Sequence, residues 1–138
     1  RKFGATAPIN SGDGKAAEAV MKLTGGRGAD TAIEAVGIPA TFELCETLIA
    51  PGGTIANIGV HGKKVELHLE RLWDRNITIT TRLVDTASTP MLLDVLRSHR
   101  IDPTLLITHR FPFERILDAY DTFARAAETK SLKVLIST

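Results

Sequence analysis

Thr31-Ala32-Ile33-Glu34-Ala35-Val36-Gly37 and Thr54-Ile55-Ala56-Asn57-Ile58-Gly59-Val60 decide the fold. Each is a short apolar run ended by glycine, the pattern of a strand buried on both faces. Between them, Pro39 suits the first turn of a helix whose Phe42, Cys45, Leu48 and Ile49 share one face, and Pro51-Gly52-Gly53 is expected to stop it. Upstream, Ala16, Val20, Leu23 and Thr24 recur at helical spacing and predict an amphipathic helix from Asp13 to Thr24, preceded by a candidate short strand from Ala5 to Asn10. Strand, helix, strand, helix, strand with short connections is the order of a parallel sheet crossed by helices. The fold class expected is therefore α/β.

Downstream, Leu67, Leu69, Leu72 and Trp73 suggest a short helix, and the β-branched run Asn76 to Thr81 a strand. Ser88 or Thr89 is placed to cap a helix with Pro90 near its start and Met91, Leu92, Val95 and Leu96 facing inward. Leu105 to Phe111 reads as an extended connection. Phe113, Ile116, Leu117, Tyr120, Phe123, Ala124 and Ala127 repeat at helical spacing and are expected to pack, and Leu132 to Ile136 closes the chain as a strand.

The 138 residues, 43% apolar and 24% charged, exclude a disordered or collagen-like chain. With 17 basic residues against 16 acidic, charge gives no reason to expect a nucleic-acid or anionic-membrane partner. No apolar run approaches the ~20 residues of a spanning helix. A single cysteine, Cys45, excludes an internal disulfide framework and suits a cytoplasmic protein. Cys45 falls on an apolar helix face, where a packing role is expected. His61, His68, His99 and His109 lack metal-motif spacing and read as surface or structural residues. Gly25-Gly26-Arg27-Gly28 ends a helix and precedes a strand, the reverse of the dinucleotide fingerprint, and Ser11-Gly12-Asp13-Gly14 lacks its spacing. Gly37 and Gly59-Val60 carry more information. They stand just past the carboxyl ends of parallel strands, where ligands bind in open α/β sheets, although a tight strand exit needs glycine as well.

Gly4-Ala5-Thr6, Thr24 to Asp30, Glu34-Ala35-Val36-Gly37, Leu48 to Gly59, Asn76 to Ile79, Ile107 to Phe111 and Leu132-Lys133-Val134 occur in an order and spacing that resemble the C-terminal portion of a zinc-dependent, medium-chain alcohol dehydrogenase of the NAD(P)-linked type. The resemblance spans the whole chain. It implies a truncated Rossmann-like parallel sheet with flanking helices: residues 1–84 as the latter half of a dinucleotide-binding domain, and residues 85–138 as a helix and strand returning to the catalytic domain. In that family the zinc ligands and the glycine fingerprint come earlier in the chain, so no catalytic or metal-ligating residue is assigned here. Ala35, Val36 and Gly37 resemble the strand exit beside the cofactor riboses, and Ile58, Gly59 and Val60 the exit lining the nicotinamide. Arg82, Leu83 and Val84 resemble the segment that holds the carboxamide, although Arg82 departs from the small or apolar residues usual there. Lys133 resembles the basic residue that reaches the pyrophosphate.

The resemblance thus implies NAD or NADP as cofactor, zinc held outside this chain, a small alcohol, aldehyde or ketone as substrate, and a homo-oligomer contacting through Ile77 to Thr81. A non-catalytic nucleotide-binding module and a zinc-free NADPH reductase of the same superfamily are the alternatives. The start at Arg1, without Met, is expected to be an internal point of a longer chain, and the segment alone is expected to be inactive. With the first Rossmann strands missing, the strand expected at Ala5 to Asn10 should pair directly with the strand at Thr31 to Val36 through a right-handed crossover, pair with another chain, or lose its structure. The edge of the strand at Thr31 to Val36 should not be left unpaired.

Overall fold

In a computed structural model, which describes residues 2–83 and 85–138, the chain divides into two compact units, Arg1–Val84 and Asp85–Thr138. The first is a parallel sheet of three strands, β1 (Ala29–Glu34), β2 (Ile49–Asn57) and β3 (Thr78–Thr81), in that spatial order, with helices α1 (Ala16–Leu23), α2 (Pro39–Leu48) and the single turn α3 (Leu69–Leu72). Pro39 starts α2, and Ile38 before it is extended, as a residue preceding proline must be. The α2 face presents Phe42 and Cys45 to Ala32, Ile49, Ile55 and Leu72, which together form the core, with Val65 and Ile77 packed against it. Ile49 and Ile55 are wholly buried, each worth about 1.5–3 kcal/mol of transfer free energy.

Three expectations are corrected in this unit. Pro51-Gly52-Gly53 does not stop the helix: α2 ends at Leu48 and β2 begins at Ile49. Ala29 pairs with Ile49 and Thr31 with Thr54, so Pro51, Gly52 and Gly53 are accommodated in a bulge, where the proline's missing N–H costs no ladder bond. The bulge is tied down by Gly52 N donating to the Arg75 carbonyl at 2.8 Å and by the Arg75 guanidinium donating to the Ile49 carbonyl. Gly28, at φ +92°, permits the abrupt turn, since a Cβ there would lie 2.6 Å from the Leu48 carbonyl oxygen. Ala5 to Asn10, expected as a strand, is irregular and exposed. Pro8 lacks a donor, and the run carries too little apolar surface to hold a ladder. Of the outcomes expected for this segment, it takes loss of strand structure. Contrary to expectation, β1 is then left as an open edge of the sheet among the described residues.

Beyond β2, the loop through residues 61–68 is fastened to α2. The buried Glu46 carboxylate accepts from the His68 amide at 3.1 Å and pairs with His68 Nδ1 at 2.7 Å. That bond is the main reason the imidazole titrates above its ordinary 6.5. A raised pKa in the folded state means the stabilisation is complete below the unfolded value and is lost as pH rises through the folded one. Urea midpoints measured from pH 5.5 to 9 should therefore fall for the wild type relative to His68→Gln. Parallel curves would show that the pair does not contribute.

The second unit contains α4 (Thr89–Arg97) and a two-stranded parallel sheet, β4 (Ile107–Pro112) and β5 (Lys133–Ser137), joined through α5 (Ile116–Ala124) and α6 (Ala126–Thr129). The segment read as an extended connection is thus a paired strand. Ala119 is buried where α5 packs on the two strands. The rest of its apolar stripe is not covered as expected: Leu117, Tyr120 and Phe123 are more than half exposed, and Met91 and Leu92 on α4 are too. Two strands are too narrow to cover a stripe about 100° wide. No helix among the described residues is long and apolar enough to cross a membrane.

Candidate functional site

The sheet register sets Glu34, Asn57 and Thr81 side by side, so the chain leaves β1, β2 and β3 along one edge. The exits are tied to each other through the backbone. The Glu34 carbonyl accepts from Ile58 N at 2.8 Å and Gly59 N at 3.0 Å, and the Asn57 carbonyl accepts from Arg82 N at 3.4 Å. The first two exits touch: a Cβ on Gly37 would lie 2.2 Å from the Val60 carbonyl oxygen, and one on Gly59 2.4 Å from Gly37 N. The tight strand exit, one of the two sequence readings of these glycines, accounts for them: the neighbouring exit's backbone stands in the place of each Cβ.

Between the exits lies a carboxylate shielded from solvent. Glu34 Oε1 accepts from Thr41 Oγ1 at 2.6 Å, Gly37 N at 2.8 Å and Val36 N at 2.9 Å. Oε2 faces His61 Nε2 at 3.2 Å, and that nitrogen also lies 2.8 Å from Asn57 Oδ1. Burial on its own would raise the Glu34 carboxyl, but the Thr41 hydroxyl, the Gly37 and Val36 amides and the His61 imidazole outweigh it and hold it at about 2. Cys45 is moved the other way, since burial and the Glu34 charge raise its thiol and suit it to packing rather than nucleophilic chemistry.

Of the residues chosen from sequence, Ala35, Val36, Ile58 and Val60 are exposed along these exits, Gly37 is buried and Gly59 half-buried. Arg82 and Leu83 follow β3 and are exposed, while Val84 lies outside the described residues. Lys133 belongs to the second unit, exposed at the start of β5. Glu34, Thr41, Asn57 and His61 were not among them. The available signal is local, a glutamate ending a strand with glycine three residues on and threonine seven on, but its meaning depends on His61 arriving from the next exit.

Among the described residues, no three His, Cys, Asp or Glu side chains gather where they could hold a metal ion. Glu34 and His61 are two groups only, and three donors of the chain itself already occupy Glu34 Oε1, so the residues do not fit a zinc ion. They do fit a cofactor laid across the strand ends: Val36, Ile58, Val60 and Leu83 offer exposed apolar surface beside two glycines.

Residues 1–98 match the family described as zinc-binding dehydrogenase. The chain belongs to this family. An alcohol dehydrogenase of Cupriavidus necator is 37% identical over 128 residues, covering 90% of this chain and 35% of that protein. The NADP-dependent isopropanol dehydrogenase of Thermoanaerobacter brockii is 35% identical over 125 residues, covering 86% and 36%. The apo form of zinc-dependent alcohol dehydrogenase 2 from Streptococcus pneumonia superposes with a TM-score of 0.91 at 50% identity, covering 99% of this chain and 40% of that one. This zinc-binding dehydrogenase chain thus corresponds to a C-terminal portion of a medium-chain alcohol dehydrogenase and spans about a third of the length of the curated relatives it matches. Its Rossmann-like α/β character agrees with the sequence expectation.

Proposed function

We propose that the chain is part of an oxidoreductase that transfers hydride between a small alcohol, or its aldehyde or ketone, and NAD(P), with zinc assistance from ligands outside this segment. The observation that carries the reading is the row of three strand exits, sewn together by backbone hydrogen bonds, with Gly37 and Gly59 in contact. When bound, the cofactor supplies the hydride acceptor or donor at its nicotinamide ring. The chain's own share is positioning. Val36, Ile58 and Val60 would give the ring and ribose an apolar wall that excludes water, and the backbone at Arg82 and Leu83 would meet the carboxamide. Residues 1–84 serve the dinucleotide-binding domain, and residues 85–138 complete the catalytic domain. β3, exposed at all four residues and paired on one side only among the described residues, supports pairing with a second copy as a homo-oligomer, and cysteine usage supports a cytoplasmic setting.

The test is alcohol-dependent reduction of NAD and NADP by the full-length protein, with metal analysis of the same sample. Turnover with bound zinc is expected, and a pure 138-residue chain should not oxidise alcohol. Turnover without zinc would identify a zinc-free reductase, and neither zinc nor turnover a nucleotide-binding module.

A further inference from the structure

A carboxylate at 1% exposure in the last position of a strand is costly: an apolar side chain would fill the place without desolvating a charge. What distinguishes Glu34 is the number of segments that meet on it. Its Oε1 takes the amides of Val36 and Gly37, which turn the chain out of β1, and the hydroxyl of Thr41 on the first turns of α2. Its Oε2 faces the imidazole of His61, just past the exit of β2. Gly59 makes this reach possible, since a Cβ there would sit 2.1 Å from Oε2. His61 is fixed in turn by Asn57 Oδ1 and by an edge-on contact with Phe42.

We propose that Glu34 is a positioning residue for the nicotinamide cofactor, its carboxylate fixing the spacing of the β1 and β2 exits on which the contacts of Val36, Ile58 and Val60 depend. The inference rests on the reading of those exits as the cofactor cleft. Glu34 does not touch the cofactor; it acts through Gly37, Thr41 and His61. What Oε1 does requires an acceptor and not a charge, so glutamine retains it and alanine does not. Small displacements of a binding wall are expensive in affinity, because contact energies fall steeply with a gap of even 0.5–1 Å.

The test is fluorescence titration of the full-length protein with NADH and with NADPH, alongside circular dichroism and urea unfolding. Glu34→Ala should weaken cofactor binding by about tenfold or more, while Glu34→Gln restores it to within about threefold of wild type. Thr41→Val, which removes one of three donors to Oε1, should fall between the two. Leu72→Ala, in the core away from the exits, should lower the urea midpoint and leave the cofactor Kd unchanged, separating positioning from general stability. A folded Glu34→Ala that binds like wild type overturns the proposal, as does a Glu34→Gln as weak as Glu34→Ala. Should Glu34→Ala fail to fold, an unchanged Kd for Thr41→Val overturns it. A wild type that binds neither NADH nor NADPH overturns instead the cofactor reading beneath it.

Discussion

Gly37→Ala should destabilise the first unit by about 3–5 kcal/mol, whereas Gly26→Ala, at nearly the same backbone angle, should cost about 1 kcal/mol. Both glycines lie in the left-handed region, at φ +87° and +84°, so both substitutions carry the same strain of placing a Cβ against its own backbone. They differ in what surrounds them. Nothing lies within 4 Å of a Cβ on Gly26. A Cβ on Gly37 would meet the Val60 carbonyl oxygen at 2.2 Å, its carbon at 2.6 Å and its nitrogen at 2.8 Å. Every one of these is backbone, so no side chain can swing aside, and the two strand exits must part. Parting them would also pull Gly37 N from the Glu34 carboxylate. Urea unfolding of the two variants against wild type reads the difference. Equal midpoints would mean that the exits separate freely and that their contact is incidental.

The sheet was legible in the sequence because its first two strands lie in short apolar runs closed by glycine, although β1 buries only one face, through Ala32 and Glu34, and leaves Ile33 exposed. Thr31 to Gly37 and Thr54 to Val60 place β1 and β2 to within a few residues at their carboxyl ends, and the exits follow directly. The start of β2 was not legible. Pro51-Gly52-Gly53 has the composition of a helix stop, and what carries the strand through it, Arg75 bonding to Ile49 and Gly52, comes from more than twenty residues away. Ala5 to Asn10 failed for the opposite reason, since a weak β pattern needs a neighbouring strand to become one. The stripe on α5 has correct helical spacing, but periodicity says which residues share a face and nothing of how wide the surface opposite is. Glu34 was hidden within a strand motif. A carboxylate there takes its meaning from Thr41, reached through the turn at Gly37, and from His61, reached through the whole of α2 and β2. Local spacing does not report that convergence.

Glu34 should also give the protein a distinct acid limb. Its carboxyl titrates at about 2 in the folded chain, against an ordinary 4.5. A depressed folded pKa means that the stabilisation is fully present above the unfolded value and is lost as pH falls toward the folded one. The loss should therefore begin near pH 4.5 and be largely complete near pH 2. Other carboxylates titrate in the same range, so the wild-type curve alone does not isolate this group. Glu34→Gln does: it keeps an acceptor for Thr41, Gly37 and Val36 but has no proton to gain. At neutral pH it should be less stable than wild type, because hydrogen bonds to an ionised acceptor are stronger than those to an amide, about 1.5–3 against 0.5–1.5 kcal/mol, and three donors share this one. As pH falls from 4.5 the two curves should converge. Glu34→Ala should cost about 3–5 kcal/mol at neutral pH, as expected for a broken buried charge network, because two amides and a hydroxyl lose their acceptor. Urea midpoints at half-unit steps from pH 7 to 2.5 distinguish the cases. If wild type and Glu34→Gln stay parallel through that window, the carboxylate is not held by its donors as the geometry requires, and the convergence of α2 and both strand exits on it carries no energy.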